Sequence, residues 1–394
     1  MKITAIRCRN LTGLLASDGP FWEERLGRPI DVYPEFRAEG EQQLEMVRAG
    51  LYRTRSTFLE IDTDSGVTGL WGPLGEELGR LIVSSLAHVL IGRDPRANEL
   101  LWDLVYRASV HGRKGTTVMA LSAVDNALWD IRGKWAGAPV YRLLGGATRE
   151  QIPAYASMLG YAVEPEQATA RAAEFKARGY RAQKWFFRAV PADGPEGIRR
   201  NVALVRAVRE AIGPDDELML DCWMSWDLRY ARTMAEQIAE YHPRWIEEPT
   251  LPDKYDTCAE IRRAVPFPVA NGEHEYTRWG FLKLLQAGAQ DVIQPDVSWA
   301  GGLSEAIKIA ALASAYDVEV IPHGHQTHTN AHFLASQPPA LCPWLEYLDK
   351  WNTIHQFFIK DKLVPVNGFV VPPQSPGIGI ELDGDAIESE EVFS

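Results

Sequence analysis

The sequence predicts an α/β protein, a modified TIM (β/α) barrel with an N-terminal α+β capping domain that the C-terminal segment completes. Short apolar runs alternate with amphipathic helical stretches through the second half of the chain, which is typical of a parallel barrel. Three of these runs end in a carboxylate, at Asp221, Glu247 and Glu273, with 26 residues from each acid to the next (221 to 247, and 247 to 273). One strand, one helix and two loops occupy about that length. The three acids are therefore expected side by side at one rim of the barrel.

The capping domain is expected to span residues 1–140. Its first strand is followed by an excursion, from about residue 11 to residue 50, that matches neither the helical nor the strand period. A stretch this long without regular structure is usually a functional lid or a disordered segment. The aromatic side chains of Phe21 and Trp22 favour a lid.

The helical part of the capping domain follows, from about residue 76 to residue 144. Within it, residues 116–135 carry apolar side chains at the i, i+3, i+4 spacing of a packed helix. Gly145 and Gly146 are expected to end this region.

The barrel is expected to span residues 141–355, and residues 356–394 are expected to return to the capping domain. The barrel sequence contains eight candidate strands, which end near Ser157, Trp185, Asp221, Glu247, Gly272, Asp296, His323 and Glu346. Eight strands is the number that closes a barrel of this type. The final segment is rich in proline and glycine and contains no further strand–helix unit.

The composition is that of a globular protein with an acidic surface. Of the 394 residues, 46% are hydrophobic and 24% are charged, so the chain can bury a large core. The formal net charge of −12 argues against nucleic acid or an anionic membrane as a partner, since both require a basic face.

The cysteines and the N-terminus bear on the compartment. The four cysteines are far apart and form no CxxC motif, so neither a disulfide framework nor a zinc ribbon is expected. The first residues alternate like a strand and lack the apolar core of a signal peptide. No apolar run approaches the roughly 18 residues of a membrane helix. A cytoplasmic protein is therefore expected.

The three acids predict a site for a hard divalent cation. Such cations prefer carboxylate oxygens, and Mg²⁺ usually keeps positions open for water or substrate. Successive strand residues face opposite sides, so only one of Glu247 and Glu248 points inward, and the 26-residue spacing selects Glu247. The alternative is that each acid caps a helix or pairs with an arginine. Three acids in register make that alternative the weaker one.

Asp296 and His323 are candidates for a catalytic pair at the ends of neighbouring strands. An aspartate that accepts the second imidazole N–H fixes the tautomer and makes the histidine a competent base. His325, His328 and His332 follow closely, but their irregular spacing does not favour a zinc site. His274 would face away from Glu273 on a regular strand, although at a frayed strand end it could still reach the pocket.

Lys184 is a cation on an otherwise apolar strand. A buried lysine is costly without an anionic partner, so Lys184 is expected to meet anionic ligands. Three carboxylates and a divalent cation carry a net charge of −1, a carboxylate substrate brings the total to −2, and an enediolate adds one more negative charge. Lys184 offsets part of that charge. Glu346, at the end of the eighth strand, could donate a hydrogen bond to the same oxygen if it were protonated.

Together these residues resemble the enolase superfamily, mandelate racemase subgroup. The matching pieces are Leu-Asp221-Cys-Trp-Met-Ser, Trp-Ile-Glu247-Glu-Pro-Thr-Leu, Gly-Glu273-His, Gln-Pro-Asp296-Val with Gly301-Gly302, Pro-His323-Gly, Leu-Glu346-Tyr-Leu, and the helix Ala123–Asp130 with Leu-Leu-Gly145-Gly146. The resemblance implies that Asp221, Glu247 and Glu273 hold Mg²⁺. It also implies that Asp296 and His323 form the catalytic pair and that Glu346 helps to stabilise the enolate, chemistry that is general to this superfamily.

One departure from the racemases bears on the reaction. They carry Lys-x-Lys on the second strand, and the second lysine is a base on the opposite face of the substrate. Here the triplet is Lys184-Trp185-Phe186, which argues against a two-base racemase. This gap, together with Pro-Ala-Asp-Gly194 and Gly-Glu273-His274, is similar to the L-rhamnonate dehydratases.

The expected activity is Mg²⁺-dependent dehydration of a sugar acid to a 2-keto-3-deoxy acid through an enediolate. His323 would remove the C2 proton and then protonate the departing 3-hydroxyl. An epimerase or cycloisomerase acting on a sugar acid is the first alternative, and a non-catalytic sugar-binding barrel is the second. A homo-oligomer is expected because large even-numbered assemblies are common in the family. The predicted substrate contacts are Arg53, Arg55, His274, Trp22 and His325.

Overall fold

The N-terminal domain is built on an antiparallel sheet. The computed structural model describes residues 1–37, 40 and 42–394. The strands of the sheet are β1 (Ile3–Ala16), β2 (Glu45–Arg48), β3 (Leu51–Thr63), β4 (Thr68–Leu74) and the C-terminal β14 (Ser389–Phe393). Their order is β14-β1-β3-β2, and β4 also pairs with β3. The end of the chain therefore adds a strand to the sheet that its beginning forms.

Helices cover this sheet and lead into the barrel. They are α1 (Pro34–Arg37), α2 (Glu76–Leu81), α3 (Ala87–Leu90), α4 (Asn98–Ala108), α5 (Thr116–Ala136) and α6 (Val140–Leu143), with a π-helical turn at Ile82–Leu86. The long helix expected near residues 116–135 is α5. The apolar face of α5 with Val118, Leu121 and Leu128 is buried, as its spacing predicts, but every residue from Ala120 to Ile131 is buried as well, so the helix is enclosed on all sides.

The C-terminal domain is a curled parallel sheet. Its eight strands are β5 (Ile152–Ser157), β6 (Ala182–Phe186), β7 (Glu217–Asp221), β8 (Trp245–Glu247), β9 (Val269–Asn271), β10 (Val292–Ile293), β11 (Glu319–Val320) and β12 (Leu345–Leu348). They pair in the order β11-β10-β9-β8-β7-β6-β5-β12. One further short strand, β13 (Phe369–Val370), pairs antiparallel with β5. The modified barrel that the sequence predicts is confirmed.

Helices follow the barrel strands and cover the outside of the sheet. They are α7 (Pro165–Ala177), α8 (Gly194–Ile212), α9 (Leu228–Ile238), α10 (Tyr255–Ala264), α11 (Thr277–Ala287), α12 (Leu303–Ser314), α13 (Thr327–Ser336) and α14 (Asp349–His355). Because each strand is followed by a helix, the C-terminal strand ends all lie at the same rim.

Two strands end earlier than the sequence predicts. β10 stops at Ile293 and β11 at Val320, each three residues before the expected end at Asp296 or His323. In both cases a proline, at position 295 or 322, precedes the polar residue. Proline has no backbone N–H for a sheet ladder, so the pairing ends before it. Asp296 and His323 consequently lie in the loops at the rim.

The irregular segment also begins later than predicted. Residues 11–16 were expected outside the sheet, but they belong to β1 and pair with residues 51–56 of β3. The alternation of apolar and polar side chains is interrupted in the sequence by Gly13. A side chain has no room there, because a Cβ atom would lie 2.6 Å from the Phe357 ring. The remaining excursion is residues 17–50, called the connecting segment below. Residues 38, 39 and 41 of the predicted lid lie outside the described residues.

The connecting segment is tied together by a buried ion pair. Arg25 Nη1 lies 2.6 Å from Asp31 Oδ2, and both side chains are 1% exposed. The N–H of Arg28 donates to the same oxygen at 2.9 Å, and Arg37 Nε donates to the Asp31 carbonyl at 2.9 Å. Burial alone would raise the pKa of Asp31, but the bonds from Arg25 and Arg28 outweigh it and lower that pKa. The segment is therefore internally cross-linked. Within the described residues no helix has the length and apolar character needed to cross a membrane.

Candidate active site

Three carboxylates meet at the rim of the barrel. Asp221 ends β7, Glu247 ends the adjacent β8 and is paired with Asp221 in register, and Glu273 follows β9 by two residues. One oxygen of each acid lies within 4.8 Å of the others, and all three residues are buried. The 26-residue spacing thus brings these acids together, as the sequence predicts.

Lys184 lies among these carboxylates. Its Nζ is 2.5 Å from Glu247 Oε1, 2.7 Å from Glu346 Oε1 and 3.2 Å from Asp221 Oδ2. Burial would lower the pKa of Lys184, but the surrounding carboxylates outweigh burial and raise it well above its usual value. The ammonium group is therefore held in its charged form.

One lysine does not balance the negative charge. Burial, followed by repulsion from Glu247, raises the pKa of Asp221 well above its usual value, and burial also raises the pKa of Glu247. Asp221, Glu247 and Glu346 all lie within 3.2 Å of Lys184, so these acids outnumber the one cation beside them. Because oxygen ligands in this arrangement are the set that Mg²⁺ prefers, the three acids fit that ion.

The second oxygen of Glu247, Oε2, accepts two hydrogen bonds from neighbouring side chains. Trp245 Nε1 donates to Oε2 at 2.9 Å, and Gln294 Nε2 donates to the same atom at 2.7 Å. These bonds fix the carboxylate plane and leave Oε1 directed at Lys184. Gln294 is a site residue that the sequence analysis missed, since an uncharged glutamine in an apolar run carries no signal of its own.

Glu346 acts as an acceptor in this arrangement. Its Oε2 accepts the N–H of Gly324 at 2.8 Å, and its Oε1 faces Lys184. Burial would raise the pKa of Glu346, but Lys184 more than offsets burial, so the pKa is lowered. The role of Glu346 as a protonated hydrogen-bond donor, suggested by the sequence, stays a prediction. In this structure both of its oxygens face donors, the Gly324 N–H and the Lys184 ammonium group.

His323 and Asp296 form a hydrogen-bonded pair. His323 Nδ1 lies 2.6 Å from Asp296 Oδ2, which leaves Nε2 facing the acids, 3.7 Å from Glu273 Oε2. The N–H of Ser298 holds the other oxygen of Asp296. Burial would lower the pKa of His323, but Glu273 and Asp296 raise it to about 10. A bound divalent cation would oppose that increase because it neutralises the neighbouring carboxylates.

His274 also reaches the cavity, paired with a residue that the sequence analysis set aside. Its Nδ1 lies 2.9 Å from Glu248 Oε2. β9 ends at Asn271 and Gly272 has a φ of +127°, so strand alternation no longer applies at His274. Glu248, His274 and Glu273 also lie close enough to hold a cation. Despite the opposing effect of burial, Glu248 raises the pKa of His274 to about 9.

The polar groups open into a cavity of about 320 Å³ with an aromatic wall. Trp22 comes from the connecting segment, Trp223 and Trp299 from barrel loops, and Trp351 from α14. Trp22 Nε1 is buried and has no hydrogen-bond partner among the described residues. The cavity therefore combines a charged floor with a mostly apolar roof, an arrangement typical of enzyme pockets.

Phe186 lines the cavity where a second base would lie in a racemase. Lys184 is the one lysine that lines the cavity within residues 1–37, 40 and 42–394. His325 also lines it, and its ring lies at a tilt of 58° to the His355 ring, with centroids 4.3 Å apart. Burial and the neighbouring histidines keep the pKa of His325 well below its usual value, so its ring is neutral.

Arg53 and Arg55 do not line this cavity. They lie with Glu45 in an adjoining chamber of about 340 Å³, which shares His325 and Trp351 with the active-site cavity. Arg53 forms an ion pair with Glu45, which is its partner in the register of β2 and β3. The sequence analysis placed both arginines on the correct strand, β3, but could not give its register with β2. That register places both side chains in the adjoining chamber.

His328 and His332 have structural partners. Both lie in α13 and are buried. His328 Nε2 contacts the carbonyl of Asp361 at 3.1 Å, and His332 Nε2 contacts the carbonyl of Ile378 at 3.0 Å. Burial lowers the pKa of each imidazole to about 4.

Two family models match the chain. Residues 37–145 match the N-terminal domain of mandelate racemase / muconate lactonizing enzyme, and residues 167–386 match the enolase C-terminal domain-like model. The first range lies in the N-terminal domain and the second begins within the barrel, after β5.

Relatives with similar sequences and folds include dehydratases and a cycloisomerase. An L-rhamnonate dehydratase from Saccharopolyspora erythraea is 35% identical over 398 residues, covering 97% of each chain. The crystal structure of rhamnonate dehydratase from Gibberella zeae complexed with Mg has a TM-score of 0.84 and 34% identity, covering 98% of this chain and 95% of that one. The 3,6-anhydro-D-galactonate cycloisomerase from Zobellia galactanivorans has a TM-score of 0.76 and 28% identity, covering 99% of this chain and 100% of that one.

Proposed function

The chain belongs to the mandelate racemase / muconate lactonizing enzyme family of the enolase superfamily, and we propose that it is a hydro-lyase for a sugar acid. The substrate would be an aldonate of the L-rhamnonate type, the cofactor Mg²⁺ and the product a 2-keto-3-deoxy acid. The observation that carries this proposal is the geometry of His323. Its Nε2 faces the three carboxylates, while an unreactive Phe186 lines the same cavity. The dehydratases similar to this chain add independent support.

The floor of the cavity would bind the acid end of the substrate. Asp221, Glu247 and Glu273 would hold Mg²⁺, which when bound supplies an electrophile for the substrate carboxylate and 2-hydroxyl. Lys184 would place its ammonium group beside the carboxylate oxygen on which charge develops. Glu346, fixed by the Gly324 N–H, would keep that ammonium group in place.

His323 would carry out both proton transfers. Its Nε2 takes the C2 proton, and the bond's electron pair moves into the carboxylate as an enediolate. The same imidazolium then gives the proton to the 3-hydroxyl, so that the C3–O bond breaks, water leaves and an enol forms. The enol becomes the 2-keto-3-deoxy acid when C3 gains a proton. Asp296 keeps Nδ1 protonated, so Nε2 is the atom that accepts and donates.

The single histidine–aspartate pair favours dehydration over racemisation. Racemisation needs a second group to deliver a proton to the opposite face of C2, and Phe186 has no proton to give. A syn elimination requires one acid–base group on one face, which His323 provides. The similarity to a cycloisomerase supports a second candidate, intramolecular elimination on the same site.

We also propose a cytoplasmic homo-oligomer whose partner is the small sugar-acid substrate. All four cysteines are free and buried, which fits a reducing compartment. The family resemblance supports the assembly.

A panel of aldonic acids that includes L-rhamnonate tests the activity. The protein with Mg²⁺ is expected to convert at least one member to a 2-keto acid, detected as its semicarbazone. A parallel reaction with excess chelator controls for the metal. Lack of turnover of every panel member in the presence of Mg²⁺ would contradict the proposed activity and favour the binding barrel.

A further inference from the structure

The backbone of Phe21 in the connecting segment bonds to both domains. Its N–H donates to the hydroxyl of Tyr52 on β3 at 3.2 Å. Its carbonyl accepts from Lys350 Nζ on α14 at 2.8 Å. Tyr52 belongs to the capping sheet and Lys350 to the barrel. Phe21 is therefore a point at which the two domains are joined above the cavity.

Lys350 makes a second contact with the same segment. Its Nζ lies 2.9 Å from Glu23 Oε1, and its side chain is only 8% exposed. Glu23 Oε2 accepts the N–H of Ala162 at 3.0 Å, and the N–H of Glu23 donates to the carbonyl of Gly160 at 2.8 Å. Lys350 thus binds residues 21 and 23 from one side while the first βα loop of the barrel binds residue 23 from the other.

Trp22 lies between these two anchored residues and is the one whose ring lines the cavity. Its ring packs edge-on against Trp351, with centroids 5.4 Å apart. Below the ring is Gly160, where a Cβ atom would lie 2.7 Å from the indole. The ring therefore has close contacts on two sides, and its neighbours in the chain are held by a side chain outside the cavity.

We propose that Lys350 is a positioning residue for substrate recognition, which holds Trp22 over the cavity through its bonds to the Phe21 carbonyl and the Glu23 carboxylate. This inference rests on the proposed function. Lys350 does not line the active-site cavity, so it acts through Trp22 and not on the substrate.

The surroundings of Lys350 explain why the contact is strong enough to act as a latch. Hydrogen bonds that involve a charged group are about twice as strong as neutral ones. The Lys350 end of the pair is buried, whereas the Glu23 side chain is 28% exposed. The other charged groups nearby are Asp349, which accepts a hydrogen bond from the Tyr161 hydroxyl, and Arg171, which lies 3.7 Å from Glu23. Arg171 is partly exposed and on the outer side, so it cannot replace the bond to the Phe21 carbonyl.

The expected consequence is a change in KM rather than in kcat. If the connecting segment is closed only part of the time, the apparent affinity falls by the fraction that is closed. Once substrate is bound, the segment is held closed by the substrate itself, and the groups that carry out the chemistry are unchanged. Lys350→Met is expected to raise KM about tenfold, equivalent to about 1.4 kcal/mol. Its kcat should stay within about twofold of the original.

Matched variants separate this role from general destabilisation. Lys350→Arg keeps a charged donor and is expected to restore most of the affinity. Lys360→Met removes an exposed lysine that pairs with Glu381, and no change in KM is expected. In a Trp22→Ala background, Lys350→Met should add little to KM, because its effect passes through the missing ring. A full additional tenfold increase there would overturn the proposal.

A second measurement does not depend on catalysis. Trypsin cleavage within residues 17–50 is expected to be about tenfold faster in Lys350→Met than in the original protein and unchanged in Lys360→Met. Equal rates in Lys350→Met and the original would overturn the latch even if sugar acids are turned over. Conversely, suppose that Lys350→Met is cleaved faster but the original protein turns over no sugar acid. That result would support the positioning role of Lys350 and contradict the proposed dehydratase activity. Should Lys350→Met fail to fold, Glu23→Gln breaks the same ion pair and is expected to change KM and cleavage in the same directions.

Discussion

His323→Asn is expected to lower kcat about ten-thousandfold, the upper end of what a general acid–base group contributes. The reason is that His323 is assigned both the removal of the C2 proton and the protonation of the 3-hydroxyl. Asparagine can still bond to Asp296 and occupies a similar volume, so the cavity should keep its shape. Mg²⁺ binding should be almost unchanged. Steady-state kinetics on the sugar acid that gives the highest turnover provides the measurement.

The control for this variant is His242→Asn. His242 is exposed and has a φ of +47°, a conformation that asparagine adopts readily. We expect its activity to equal that of the original protein. Full activity of His323→Asn would remove His323 from the mechanism.

Glu247→Gln is expected to abolish tight Mg²⁺ binding, and with it turnover. Glu247 occupies the middle of the three acids and has its second oxygen fixed by Trp245 and Gln294. An amide at this position removes one unit of negative charge. Its NH₂ group must also face either the Trp245 and Gln294 donors or the side of Lys184 and the cation. Both changes weaken an oxygen site for a hard cation.

Calorimetric titration of the chelator-treated protein with Mg²⁺ measures this effect directly. The original protein should also gain thermal stability as Mg²⁺ is added, since a ligand at 100 times its Kd stabilises a protein by about 2.7 kcal/mol. Glu247→Gln should gain almost none. The matched control is Glu240→Gln, which removes the same charge at an exposed position. Equal Mg²⁺ affinity in Glu247→Gln and the original protein would exclude the three acids as the metal site.

The residues that the sequence expects to lie together, and that do lie together in the structure, are those set by spacing along the chain. The interval between Asp221, Glu247 and Glu273 is the length of a strand–helix unit. Their positions at the barrel rim therefore follow from chain length and do not depend on how individual side chains pack. The pairing of Asp296 with His323 follows in the same way. Their strands end early at prolines, yet both strands shorten by the same amount, so the two side chains still meet.

The parts that were missed depend on packing between elements. Gln294 and Glu248 take part because they point at groups already identified, and nothing in their own sequence context indicates this. Arg53 and Arg55 were placed on the correct strand, but the register of β2 and β3 decides which chamber they reach. The contacts of Lys350 could not be predicted from the sequence, since its partners Phe21 and Glu23 lie more than 320 positions away along the chain.

The barrel rim and the connecting segment are expected to have different roles in the reaction. The rim of the barrel supplies the charged floor, which is suited to the carboxylate that all the proposed substrates share. The connecting segment supplies Trp22 at the opposite end, where sugar acids differ from one another. Selectivity is therefore expected to depend on residues 17–50, and rate on Lys184 and His323. Variants of Lys350 should therefore change substrate selectivity and leave the catalytic rate unchanged.

The central claim, one-faced elimination by His323, is tested most directly by proton NMR of the Mg²⁺-loaded protein with L-rhamnonate in D₂O. The account predicts a 2-keto-3-deoxy acid with deuterium introduced at C3 as the enol is converted to the ketone. Exchange of the C2 proton for deuterium without any keto product would contradict it. That result would instead identify a site that enolises sugar acids and does not eliminate water.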